Sequence, residues 1–203
     1  EILTLKIKKT DAEISVLAKQ ITKGEVKADT LSFDELMYSG TLTPSLEEKA
    51  AIYEAATKKG TNWTAHNNLG ASYLQMAIEN PSRAAELADK AAAQFDIAAK
   101  IQESPEVNAN LASIALWRGN PYKAYSLASK ALRGANNEVT RGVNGVKGAS
   151  EIYMANYSAA VSSTSSATDT HINLFNKGLA QLLNKDFGNA GSSFAESSRK
   201  NSN

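Results

Sequence analysis

The sequence contains no cysteine, which excludes a disulfide framework and a zinc site built on thiolates. No apolar run approaches the roughly 20 residues needed to cross a bilayer, so no direct membrane insertion is expected. An excess of charge of one sign is also missing, with 22 Lys and Arg against 21 Asp and Glu, formal net charge +1. That balance gives no electrostatic reason to expect a nucleic acid or an anionic membrane as partner. Prolines number only 4 and aromatics make up 7%. Scarce proline, with abundant Ala and Ser, suits close-packed helices. The chain opens on Glu1 and a charged stretch with no visible signal peptide, and it is expected to be a fragment of something larger.

What is present is a repeat. A small residue recurs early in one helical segment, and an Ala follows twelve residues later in the next. Ala112 leads to Ala124, Gly148 to Ala160 and Gly178 to Ala190. Leu69-Gly70 begins the same pattern and then carries an insertion, while Phe33, Leu36 and Met37 with Tyr53 and Ala56 supply an earlier copy by their large residues. Taking Met37, Gly70, Ala112, Gly148 and Gly178 as anchors, the spacing scatters around 34 residues. Small anchors let the paired helices of a hairpin approach closely. A lone hairpin cannot bury its apolar face, so hairpins must stack.

The third copy is the most regular. Gly119-Asn120 reads as the turn between helices, and Pro121 is tolerated at the first position of the next. Ala155-Asn156 and Lys185-Asp186 are the corresponding turns of the fourth and fifth copies. In the second copy Asn80-Pro81-Ser82 should break a helix, and residues Ala84 to Ile101 should form one long Ala-rich helix capped by Asn80 or Ser82. Residues Glu1 to Lys9 alternate apolar and polar side chains, which predicts a strand. Asp11 to Ile21 should be a short helix capped by Thr10 or Asp11. The polar run Ser162 to Thr170 should be weakly structured and shorten its helix.

This pattern resembles the tetratricopeptide-repeat family over roughly Thr30 to Lys200. The resemblance implies an all-α fold, a right-handed solenoid of about five helical hairpins (30–62, 63–104, 105–140, 141–170, 171–203). A strand and helix precede it over residues 1–29, as the tail of an upstream region. Segments Leu31–Tyr38, Thr41–Lys49 and Asn62–Gly70 are also similar to repeat regions that follow an outer-membrane-protein-A-like, peptidoglycan-binding domain in Gram-negative envelope proteins. That likeness implies a periplasmic or outer-membrane-associated location, with the cytoplasm as the alternative.

The family implies a concave groove lined by the first helix of each hairpin. Mapping from the anchors places Asn67, Ala71, Leu74 and Gln75 there, then Ala109, Ser113, Leu116 and Trp117. The fourth and fifth copies add Gly145, Ala149, Ile152 and Tyr153, then Phe175, Leu179, Leu182 and Leu183. The apolar members could equally pack against the next helix. Asn67, Gln75, Ser113, Trp117 and Tyr153 are the candidate partner-binding residues, led by the two aromatics. The last four should seal the inside of the array's end, and Phe194 with Ala190 should need cover. Some arrays of this family clamp a carboxylate tail with Lys and Asn. Asp34, Asn67 and Ala109 stand at those positions here, so binding of acidic tails is not expected.

Other motifs are weaker. His66 and His171 are the only histidines, and no second His lies at helical spacing to complete a metal site. His66 fills the position where the repeat usually has Trp, so packing explains it. Asp169 beside His171 could suggest a hydrolase, but no nucleophile stands out among the serines. Gly142, Gly145 and Gly148 do not match a phosphate-binding loop, and they read instead as small faces of a helix. Asn62-Trp-Thr64 and Asn156-Tyr-Ser158 match the glycosylation tripeptide by chance. The sequence therefore points to a non-enzymatic scaffold for a protein or peptide partner, with no cofactor and no metal. A structural spacer between envelope domains is the alternative.

Overall fold

Side-chain caps punctuate the chain. Thr10 and Ser32 each accept from the backbone N–H three residues on, and Glu13 and Glu35 reach back to complete two capping boxes. Ser45, Asn62, Ser104, Asn120, Asn136 and Thr170 cap six further helices. A computed structural model describes residues 7–201. Among these are helices α1 (Asp11–Thr22), α2 (Phe33–Leu42), α3 (Leu46–Thr57), α4 (Trp63–Glu79) and α5 (Ala84–Ile101). They continue as α6 (Pro105–Trp117), α7 (Pro121–Ala131), α8 (Asn137–Tyr153), α9 (Tyr157–Ser165), α10 (His171–Leu183) and α11 (Phe187–Asn201).

The fold is all-α, and α2 to α11 form five helical hairpins. The chain divides into two compact units, residues 1–103 and 104–203. The first holds α1 and two hairpins, the second three.

One register organises the hairpins. Counting from the first residue of α2, α4, α6 and α10, the eighth is Gly40, Gly70, Ala112 and Gly178. α8 starts one turn early, which brings Gly148 to the same place. A Cβ on Gly40 would lie 2.5 Å from the Tyr53 ring, on Gly70 2.6 Å from Phe95, and on Gly178 2.8 Å from Phe194. On Gly148 it would lie 2.5 Å from Thr164 Cγ2. Ala112 shares a core cluster with Ala128. Each small residue thus seats a side chain of its hairpin partner. The small residue of the first hairpin is Gly40, not Met37, which instead packs its thioether beside two core clusters. Ala124, Ala160 and Ala190, twelve residues past their anchors, are all buried.

The insertion in the second hairpin lengthens both its helices. α4 has 17 residues and α5 has 18, against 13 and 11 for α6 and α7. Ala91, which is fully buried, and Phe95 then take the places of Ala124 and Ala128 one turn later along α5. Burying a ring such as that of Phe95 contributes about 1.5–3 kcal/mol. Neither Asn80 nor Ser82 caps α5. Asn80 precedes a 3₁₀ turn, Pro81–Arg83, and Ser82 within it donates its Oγ to Asn80 Oδ1 at 2.8 Å.

Two further expectations concern the first residues and the polar run. The predicted strand lies largely on residues 1–6, outside the described residues; Ile7 is helical and Lys8 has φ 54°. The polar run from Ser162 does shorten its helix: α9 ends at Ser165 after 9 residues, with Thr164 Oγ1 donating to the Ala160 carbonyl at 2.7 Å in its last turn.

The turns of the second unit repeat one geometry. Gly119, Ala155 and Lys185 all have positive φ, at 73°, 59° and 66°. The following N–H groups of Asn120, Asn156 and Asp186 reach back to the carbonyls of Ala115, Glu151 and Gln181 at 2.8–2.9 Å. This is a Schellman stop, in which a non-glycine residue costs about 1–2 kcal/mol. Ala155→Gly and Lys185→Gly should each raise stability by about 1 kcal/mol, a gain of about 2–4 °C in melting temperature. Thermal unfolding followed by circular dichroism checks it.

At the other end, α1 packs on α2. Tyr38 Oη donates to Asp11, and Lys9 pairs with Glu35. The Lys9 ammonium and then the Ser32 N–H hold the Glu35 carboxyl down from 4.5 to about 2. A carboxyl lowered on folding stabilises fully above pH 4.5 and loses that contribution as pH falls toward 2. Glu35→Gln should therefore flatten the acid decline of the first unit between pH 4.5 and 2, measured by urea denaturation across that range.

Candidate interaction groove

In the second unit, the Schellman turn reverses α6 into α7, and the link over residues 132–136 reverses the chain again. α6 and α8 therefore run the same way, and they pack side by side. α10 packs on α8 from its other flank in the same manner. Three first helices thus lie side by side in this unit.

Between α6 and α8 lies a groove of about 320 Å³. Glu106, Ala109, Asn110 and Ser113 line it from α6; Glu138, Val139, Gly142, Val143 and Val146 line it from α8. Val143 is its buried floor, 2% exposed. Gly142 has nothing within 4 Å of where a Cβ would stand, so the groove is open there. The extra turn at the start of α8 supplies Glu138 and Val139 to that wall.

Helical spacing extends both walls. Residues eleven apart lie about three turns apart on nearly the same face, at 3.6 residues per turn. Trp117 stands eleven residues beyond Glu106, and Tyr153 eleven beyond Gly142. Both aromatics end their helices and are 54% and 77% exposed. Ser113 lines the groove, although its hydroxyl donates to the Ala109 carbonyl of its own helix at 3.1 Å.

Several positions mapped to a groove do other work. Gly145 is buried, and a Cβ there would meet Asn173 Oδ1 at 2.5 Å, so it lets α10 approach α8. In the first unit, Asn67 is 9% exposed and bonds Asn68 at 3.4 Å, whereas Gln75 is exposed and donates to Glu79 at 3.2 Å. Phe175 packs against Phe194 with ring centroids 5.5 Å apart and the rings tilted by 53°. Ala190 and Phe194 turn into their own hairpin, so the apolar surface left open at the last hairpin is Ile172, Phe175, Leu182, Leu183 and Phe187.

The remaining chemistry is accounted for by local partners. Asp169 does not engage His171: its carboxylate accepts from Lys200, which holds its pKa below the usual carboxylate value. Ser197 Oγ donates to the His171 carbonyl at 2.6 Å. His66 Nδ1 lies 2.8 Å from Gln94 Oε1. The side chain of Asn62 caps α4, accepting from Thr64 N and Oγ1 at 2.9 and 2.6 Å, which explains its tripeptide. No group of three metal-ligating side chains converges among the described residues.

Sequence reasoning missed Glu138 and Val139, because the mapping assumed a standard length for α8, and it passed over Glu106 and Asn110 on α6 and Val143 and Val146 on α8, which lie outside the positions counted from the anchors. It also missed a buried ion pair. Glu151 is 1% exposed and pairs with Lys147 one turn earlier. Lys147 donates as well to Ser163 Oγ at 3.1 Å, and its ammonium sits 5.2 Å above the Tyr125 ring.

No family model matches this chain, and no curated protein is significantly similar to it. Among solved structures it is similar to YrrB, described as a TPR protein with an unusual peptide-binding site. The match covers 88% of this chain and 89% of that one at a TM-score of 0.56 and 18% identity. At that identity the likeness concerns the tetratricopeptide-like fold.

Proposed function

We propose that this chain is a non-catalytic interaction scaffold that holds a peptide or protein segment along the groove between α6 and α8. The observation that carries the reading is the pair of stripes on those helices. Each runs from an open, partly apolar groove to a large aromatic side chain left in solvent. Trp and Tyr combine large contact area with few rotatable bonds, and they dominate binding energy at protein interfaces. The peptide-binding description of YrrB, a protein of like fold, agrees in kind. Ser113, Trp117 and Tyr153 are the contact residues on this reading, and Gln75 offers an exposed amide in the first unit.

Trp117→Ala and Tyr153→Ala should each weaken binding of a selected peptide about tenfold, in line with interface aromatics. Helical content should not change, since both side chains project from helix ends. Fluorescence anisotropy with labelled peptide, alongside circular dichroism, measures both. Undiminished binding by both variants would remove this groove from the account.

A further inference from the structure

We infer that the segment bound between α6 and α8 is cationic at one end and carries a large apolar side chain five to seven residues away. This rests on the binding reading above and adds the chemistry of the partner. Glu106 and Glu138 line the same end of the groove, each in the first turn of its helix. Neither carboxylate has an ion-pair or hydrogen-bond partner among the described residues. No Lys or Arg lines the groove, and its floor is the apolar Val143 with Val139 and Val146 beside it.

A chain laid over that floor displaces water from both carboxylates. Covered by a neutral or anionic segment, they would lose hydration without gaining a partner, which disfavours binding. A Lys ammonium or an Arg guanidinium replaces the lost water with charge-assisted hydrogen bonds. The protein's net charge of +1 offers no general attraction for cations, so the preference is local to this groove.

The spacing follows from helix geometry. Eleven residues separate Glu106 from Trp117, and fifteen separate Glu138 from Tyr153. At 1.5 Å per residue these are about 16 and 22 Å along the groove. An extended peptide at about 3.3 Å per residue covers that reach in five to seven residues. The basic residue then meets the carboxylates while the apolar one lies against Trp117 or Tyr153.

Acidic residues in a first helical turn also interact well with the helix dipole, so the test must separate a ligand role from a structural one. The full chain is panned against a displayed library of random dodecapeptides. Selected peptides are then titrated by anisotropy against the wild type, the double variant Glu106→Gln/Glu138→Gln, and Trp117→Ala. Enrichment of Lys or Arg at the stated spacing from an aromatic or Leu is the expected result. With it goes a loss of about tenfold or more in the Gln variant and a marked weakening by salt, as for paired charges at an interface. The melting temperature should fall by no more than a few degrees, the part that the helix dipole accounts for. Selected peptides that lack basic residues yet depend on Trp117 would overturn the cationic inference and leave the groove reading standing. A Gln variant that melts lower but binds equally would overturn it too, by assigning both carboxylates to helix stability. Failure of the wild type to select any peptide would overturn both.

Discussion

Lys147→Met should cost the second unit about 3–5 kcal/mol of unfolding free energy. The reason is what it leaves behind. Glu151 is 1% exposed, and its Oε2 has no hydrogen-bond partner among the described residues. Its other oxygen is paired with Lys147 alone, so removing the ammonium strands a carboxylate in the interior. The loss also includes the Lys147 bond to Ser163 and its place over the Tyr125 ring. Removing both charges together should behave differently. Lys147→Met/Glu151→Leu replaces the pair by apolar groups of similar volume and should recover most of the loss, since the desolvation of two ions is also removed. Urea denaturation of the two variants makes the comparison. A double variant as unstable as the single one would show that the pair is not the cause.

Gly148→Ala and Gly142→Ala should move stability in opposite directions. On helix propensity alone each gains about 1 kcal/mol. A Cβ at Gly142 meets nothing within 4 Å, so the gain should appear in full. At Gly148 it would meet Thr164 Cγ2 at 2.5 Å and the Thr164 backbone nitrogen at 3.1 Å. A rotamer change can move the methyl but not the nitrogen, so α8 and α9 must separate. Such overpacking costs about 1–3 kcal/mol and should outweigh the propensity gain. Gly70→Ala should also lose stability, because three atoms of the fully buried Phe95 ring stand 2.6–3.0 Å from the added Cβ. Thermal unfolding of the three variants gives the order. Equal gains at Gly142 and Gly148 would mean that the hairpin seam is not close-packed.

The hairpins were legible because packing imposes them on the sequence. A helix pair in contact has room for nothing larger than Gly or Ala at the crossing, so Gly70, Ala112, Gly148 and Gly178 mark it. The turns were legible for a similar reason: Gly119-Asn120-Pro121 combines a left-handed residue, a cap and a helix starter. Gly40 escaped because α2 is short, with 10 residues, and its large side chains suggested a different alignment. The buried Lys147 and Glu151 escaped because an i, i+4 pair on a helix most often faces solvent, and nothing in the local pattern tells a buried pair from an exposed one.

The groove was half legible. Trp117 and Tyr153 stood out as large aromatics at equivalent repeat positions. The carboxylates did not: Glu106 stands three residues before the first position counted from Ala112, and Glu138 lies on a turn of α8 that the repeat does not require. Counting back from Gly148 gives its start only when the length of α8 is known. The fold bears on the repeat and not on the envelope context, which rests on a likeness of short segments alone.

The central claim is that the groove between α6 and α8 holds a ligand. Amide hydrogen exchange of the full chain, free and saturated with a selected peptide, tests it most directly. Bound peptide should slow exchange in the first and last turns of α6 and α8, around Glu106, Trp117, Glu138 and Tyr153, and leave α7 and α9 unchanged. Protection confined to α7 and α9, or no protection anywhere in the second unit, would contradict the claim.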